Sequence, residues 1–122
     1  MLNNCYPSCN MWNISLLIMN PTLQNKLFEA FPKLFAQKDL PMTETCMCWG
    51  IECPDAWYDV IYAACEIIQM NTDWNELPQI QFTQVKEKFG TLCMYYDNHN
   101  AFANGVIAMA NQCVSKVKPI KI

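Results

Sequence analysis

Between Pro54 and Tyr96 the apolar residues change period, from about 3.6 residues to 2, which restricts the chain to folds that pack helices on a sheet. Trp57, Val60, Ile61, Ala64, Ile67 and Ile68 form a stripe of the width a surface helix buries, predicting a helix from Pro54 to about Met70. Asp55, Asp59, Tyr62, Glu66 and Gln69 take the opposite side, and Asp55 in the first turn suits the positive end of the helix dipole. Ile80 to Val85 then alternates, and Leu92, Met94 and Tyr96 alternate in the same way. Between them Lys86-Glu87-Lys88-Phe89-Gly90 places a glycine where a tight turn needs positive φ.

The flanks complete the outline. Asn20-Pro21 supplies an N-cap and a first helical residue, with Leu23, Leu27, Phe28 and Phe31 on one face and Pro32 as the stop. Residues 37 to 45 read as a loop around Pro41, and Glu44 to Ile51 as a short strand closed by a turn at Glu52 to Pro54. After Asp97-Asn98-His99-Asn100 a last helix runs to about Lys116 with almost no charge, so the sheet, other helices or a second copy must cover it. The expectation is an α+β domain. It has a small antiparallel sheet (hairpin 80–96 plus a strand near 45–51) and three helices at about 21–31, 54–70 and 101–116. The 122 residues suit one domain, with the Cys- and Asn-rich segment 1–19 packed on it, and a homo-oligomer is expected.

Charge narrows the function classes. All eight cations are Lys and none is Arg, so no guanidinium fork is present to clamp phosphate. From Asp39 to Glu76 the chain has eight acids and no base, and its formal net charge is -3. That balance argues against duplex nucleic acid as a partner. The acidic block would instead face water, a cation or a basic protein. No run of about 18 apolar residues offers a membrane span. No Lys or Arg precedes Lys26, so a secretory n-region is missing and the cytoplasm is the expected compartment. In that setting the eight cysteines are expected as thiols or metal ligands rather than disulfides.

Three readings compete for the segment TETCMCWGIECPDAWYD, residues 43 to 59. Cys46, Cys48 and Cys53, joined by Cys5, Cys9 or His99, have the donor types of a tetrahedral zinc site, the one cofactor the pattern allows. Buried or idle thiols fit the spacing as well. Glu52, Asp55 and Asp59 flank one helix start and can gather a hard cation for phosphodiester hydrolysis, although acids in a first turn are ordinary helix chemistry. His99 lies in an Asn-rich loop without a recognised nucleophile beside it. Finally Trp49, Glu52, Asp55, Trp57, Lys86, Lys88 and Tyr95, with Tyr58 and Tyr96 nearby, can line a ligand pocket. Aromatics would stack a base and Lys would meet a phosphate. The alternative is that both tryptophans anchor the core at a fold junction.

Two segments also resemble the motifs of one family. Trp49-Gly50-Ile51-Glu52-Cys53-Pro54-Asp55-Ala56-Trp57 resembles W-G-x-x-C-G-D-G-W, and Val85-Lys86-Glu87-Lys88-Phe89-Gly90-Thr91-Leu92-Cys93-Met94-Tyr95 resembles V-K-E-K-F-G-x-L-R-F-Y. Both belong, in this order, to an uncharacterised family of small phage and prophage proteins, and the resemblance spans roughly residues 28 to 112. It implies a phage accessory protein in the host cytoplasm. Such a protein would engage a host protein or sequester a nucleotide-like ligand, for instance in counter-defence. A metal-dependent hydrolase and a zinc-stabilised scaffold are the alternatives. The family's two motif glycines are Pro54 and Ala56 here, and its arginine falls at Cys93. A Cys-rich tail of the relatives has no counterpart in Val114 to Pro119.

Overall fold

The computed structural model describes residues 18–116. Asn20 caps α1 (Pro21–Ala30) by accepting the Thr22 N–H at 2.8 Å, and Pro21 fills a position whose N–H would have no helical partner. The chain then passes through the fully buried Leu34 and Phe35 and a 3-10 turn at Ala36–Asp39. A second 3-10 turn, Met47–Trp49, leads into the short strand β1 (Ile51–Glu52). A third, Asp55–Trp57, feeds α2 (Tyr58–Trp74). Strands β2 (Gln81–Lys88) and β3 (Thr91–Asp97) form the hairpin, and α3 (Ala101–Val114) follows. The α+β class and the three helices are as the sequence predicts.

The sheet has the order β1-β2-β3 and is mixed. β1 runs parallel to β2, with Ile51 beside Val85 and Glu52 beside Lys86, while β2 and β3 are antiparallel. β1 and β2 are therefore joined by α2 as a crossover, the connection parallel strands require. This differs from the all-antiparallel sheet expected. The expected strand at 45–51 is also mostly turn, because Trp49 and Gly50 donate to Cys46 and Met47 carbonyls within it. A register shift between Phe82 and Gln84 leaves Thr83 as an extra residue on β2. Its carbonyl accepts from the Cys46 N–H and the Thr45 hydroxyl, both at 3.1 Å, which ties the turn to the sheet.

Gly50 explains why tryptophan is followed by glycine at this junction. Its φ is +81°, and a Cβ there would stand 2.4 Å from Gln24 Oε1. Gln24 is buried and bridges two segments: Oε1 accepts the Ile51 N–H at 2.9 Å, and Nε2 donates to the Met19 carbonyl at 2.7 Å. The Met19 N–H in turn donates to the Ile51 carbonyl at 2.9 Å.

One buried cluster joins Val85, Leu92 and Met94 of the hairpin to Ile61, Cys65 and Ile68 of α2 and to Ala103, Ala110 and Val114 of α3. Asn111 fixes α3 to the sheet by accepting the Leu92 N–H at 3.1 Å. Residues 1–17, including Cys5 and Cys9, lie outside the described residues, so the packing expected of segment 1–19 concerns them only at its end.

Candidate functional site

The residues singled out in the sequence divide among several places. Trp57 is an anchor of the core, 6% exposed. Asp55 has a structural partner: its Oδ1 accepts the Asn20 N–H at 2.8 Å and pins the start of α1 to the start of α2. Glu52 is buried on β1, where its Oε1 accepts from Gln84 Nε2 at 3.4 Å. In register, Glu52 lies beside Lys86, Lys86 opposite Cys93, and Gln84 opposite Tyr95. The sheet thus brings Glu52, Lys86 and Tyr95 to one face, with Lys88 at the exposed end of β2 on the same side. Trp57 lies in the core instead, so the single aromatic pocket does not form.

Trp49 lines a cavity of about 350 Å³ together with Phe28, Lys38, Asp39, Asn25 and Gln24, without Lys86, Lys88 or Tyr95. Its indole N–H is buried and has no hydrogen-bond partner among the described residues. Lys38 pairs with Asp39 at 2.8 Å and stands 5.6 Å from the Phe28 ring centre.

Among the described residues neither metal reading assembles. Cys46 is disulfide-bonded, against the expectation of thiols, whereas Cys48, Cys53, Cys65, Cys93 and Cys113 are free. Burial pushes the Cys53 thiol well up, and the negative charges of Glu52 and Glu87 add to the effect. Among the described residues no three of His, Cys, Asp and Glu gather in a group able to hold a metal ion. The Cys46, Cys48 and Cys53 set and the Glu52, Asp55 and Asp59 set are both dispersed by this geometry. His99 is exposed in its loop.

The feature that sequence reasoning missed lies between α2 and α3. Ala64 and Ala110, both buried, floor an open groove of about 250 Å³, and Ile67 and Met109 rise beside it. Met109 is 66% exposed and Ile67 44%. The stripe continues along α2 through the exposed Met70 to Trp74, which is 77% exposed, and Phe102 adds to the exposed apolar surface of α3. Val60, Ala63, Ile67, Met70 and Trp74 recur at alternating steps of three and four, the repeat that keeps one helix face apolar. With the exposed side chains of α3 they make one continuous apolar patch, a feature that is often functional on a monomer. The signal was present in the sequence, but Trp74 lies beyond the predicted helix end.

Comparison with known proteins leaves the chain by itself: no family model, no curated protein and no solved structure matches it. What the fold and the groove define is an α+β domain with a mixed three-stranded sheet and an apolar face on two helices that no other described element covers. No helix among the described residues is long and apolar enough to cross a membrane.

Proposed function

We propose that the chain is a phage-encoded accessory protein that acts by occupancy, engaging a host protein through the face formed by α2 and α3. One observation carries this reading: a contiguous apolar groove whose walls, Ile67 and Met109, stand open to solvent although the core beneath them is closed. Apolar side chains gain from burial, and neither helix needs these residues for its own packing. Among the described residues the carboxylates and cysteines form no group able to hold a metal ion. The test uses the full chain and its Ile67→Asp and Met109→Asp variants as baits in host extract, with thermal melts as the folding control. A specific host protein retained by the parent and lost from both folded variants supports the reading. Equal retention by all three, or none by any, overturns it.

A second reading has its own support. The buried Trp49 N–H without an acceptor, in a cavity that also holds Lys38 and Phe28, suits a small nucleotide-like ligand with an anionic group and a planar ring. Denaturing the purified protein and recording ultraviolet absorbance of the filtrate tests it. A nucleotide spectrum that disappears in Trp49→Phe supports this reading. Its absence, with no thermal shift from added nucleotides, removes it.

A further inference from the structure

Resting on the assignment of the α2–α3 face as the contact surface, we infer that its partner presents an amphipathic helix with basic residues along one edge. Three acids of α2, Asp59, Glu66 and Asp73, recur at intervals of seven, and each immediately precedes a residue of the apolar stripe: the half-buried Val60 and the exposed Ile67 and Trp74. Residues seven apart on a helix differ by only about 20° in direction, so the three carboxylates form one row bordering the apolar stripe. All three are exposed, and Asp59 itself lines the groove.

In two-helix packing this border position faces the flanking residues of the partner and selects them by charge. α2 carries no base, and α3 carries no charged residue at all from Ala101 to Val114. Among the described residues Asp73 receives a neutral amide, from Gln69 Nε2 at 2.9 Å, and no cation. The row is consequently set up to attract a cation from outside the helix pair.

The groove shape agrees with a helix as guest. Ala63, Ala64 and Ala110 are small, so a third helix can approach α2 and α3 closely while its large apolar side chains sit between Ile67 and Met109. From Val60 to Trp74 the stripe is about 21 Å long, which four turns of a guest would cover. The two borders differ, acidic on α2 and neutral on α3, so the guest needs cations on one edge only. A second copy of this chain is a poor guest. Its matching helices offer no cation, and two-fold pairing of α2 with α2 would set acids against acids.

Three synthetic helices of 21 residues test this, sharing leucines on the apolar face and carrying Lys, Gln or Glu along one edge. Binding to the full chain is read by titration calorimetry at low and high salt. The expected order is Lys over Gln over Glu, with about tenfold between the first two at low salt and less at high salt. Glu66→Lys takes the row from -3 to -1 and should narrow the spread between the Lys and Glu helices, the triple variant Asp59→Lys, Glu66→Lys, Asp73→Lys should invert the order, and Met109→Asp should weaken all three. Equal binding of the three helices overturns the charge inference and leaves the contact surface standing. Failure of all three, while the host protein is still lost from Met109→Asp, overturns the helix and again spares the surface. If face variants alter neither, both readings fall. A low-salt dimer that Met109→Asp dissolves gives the face to a second copy and also overturns the inference.

Discussion

Replacing Gly50 by alanine tests the junction on which the described fold turns. The new residue must hold φ at +81° with ψ at -161°, a region essentially reserved for glycine, which costs an L-residue about 1–3 kcal/mol. Its Cβ would also stand 2.4 Å from Gln24 Oε1, so the Gln24 amide has to swing away. Steric energy is small there, because the displaced atom ends a flexible side chain. The larger cost is what the amide leaves behind: the Ile51 N–H and the Met19 carbonyl, both in the interior, lose their partner. An unpaired buried polar group costs about 1–3 kcal/mol, so two of them with the backbone cost should bring Gly50→Ala to about 6 kcal/mol in total. That is a large part of the roughly 5–15 kcal/mol that holds a domain folded. Gln24→Ala removes the same hydrogen bonds and opens space for a Cβ. In that background Gly50→Ala should cost only the backbone contribution, leaving a coupling of up to about 4 kcal/mol. Urea unfolding followed by tryptophan fluorescence, on the two single variants and the double, measures it. Additivity within about 0.5 kcal/mol would refute the linkage between Gly50 and Gln24.

Three further outcomes are expected. Phe89 has φ +54° and is 94% exposed at the hairpin tip, so Phe89→Asn should raise stability by about 1 kcal/mol in the same assay, and a loss would mean that the ring packs. Burial raises both the Cys65 and Cys53 thiols, so on native protein iodoacetamide should label exposed Cys113 well before either, as read by mass spectrometry. The same two thiols keep their protons in the folded state at pH values where the unfolded chain has lost them. Stability should therefore fall as pH rises past the ordinary thiol value near 9, by about 1.4 kcal/mol per pH unit for each, and Cys65→Ala should flatten the slope.

The helices and the hairpin were legible because their signals are local. Asn20-Pro21 and Asn100 are caps whose side chains do accept N–H groups of the first turn, and the Phe89-Gly90 turn does occupy positive φ. The direction of β1 was not legible. Two residues carry no period, and their pairing with Val85 and Lys86 depends on the α2 crossover and the freed Thr83 carbonyl. The candidate surface failed for another reason. α2 is apolar on more than one side: Ile61, Cys65 and Ile68 are fully buried, while Ile67, Met70 and Trp74 remain open. Periodicity shows which residues share a side, and only tertiary packing decides which side is covered. Taking Ile67 and Ile68 as one stripe merged a core contact with a surface contact.

An open apolar stripe is a liability for any chain at high concentration, since a second copy supplies the same burial as a partner does. The acids beside it bear on that liability as well as on recognition. Eight of the eleven acids lie between Asp39 and Glu76, and three of them border the stripe. Two copies approaching by this face bring like charges together before apolar contact is made. Salt separates the two effects. Near 1 M ionic strength the screening length falls to about 3 Å, which removes the repulsion, while apolar attraction persists. The chain should thus sediment as a monomer in dilute buffer and self-associate in concentrated sodium chloride, and Ile67→Asp should remain monomeric in both. Glu66→Gln should lower the salt needed, because it removes the central charge of the row and leaves the stripe intact. If the parent is monomeric in concentrated salt, or if Glu66→Gln leaves the transition where it was, the carboxylate row does not guard this face.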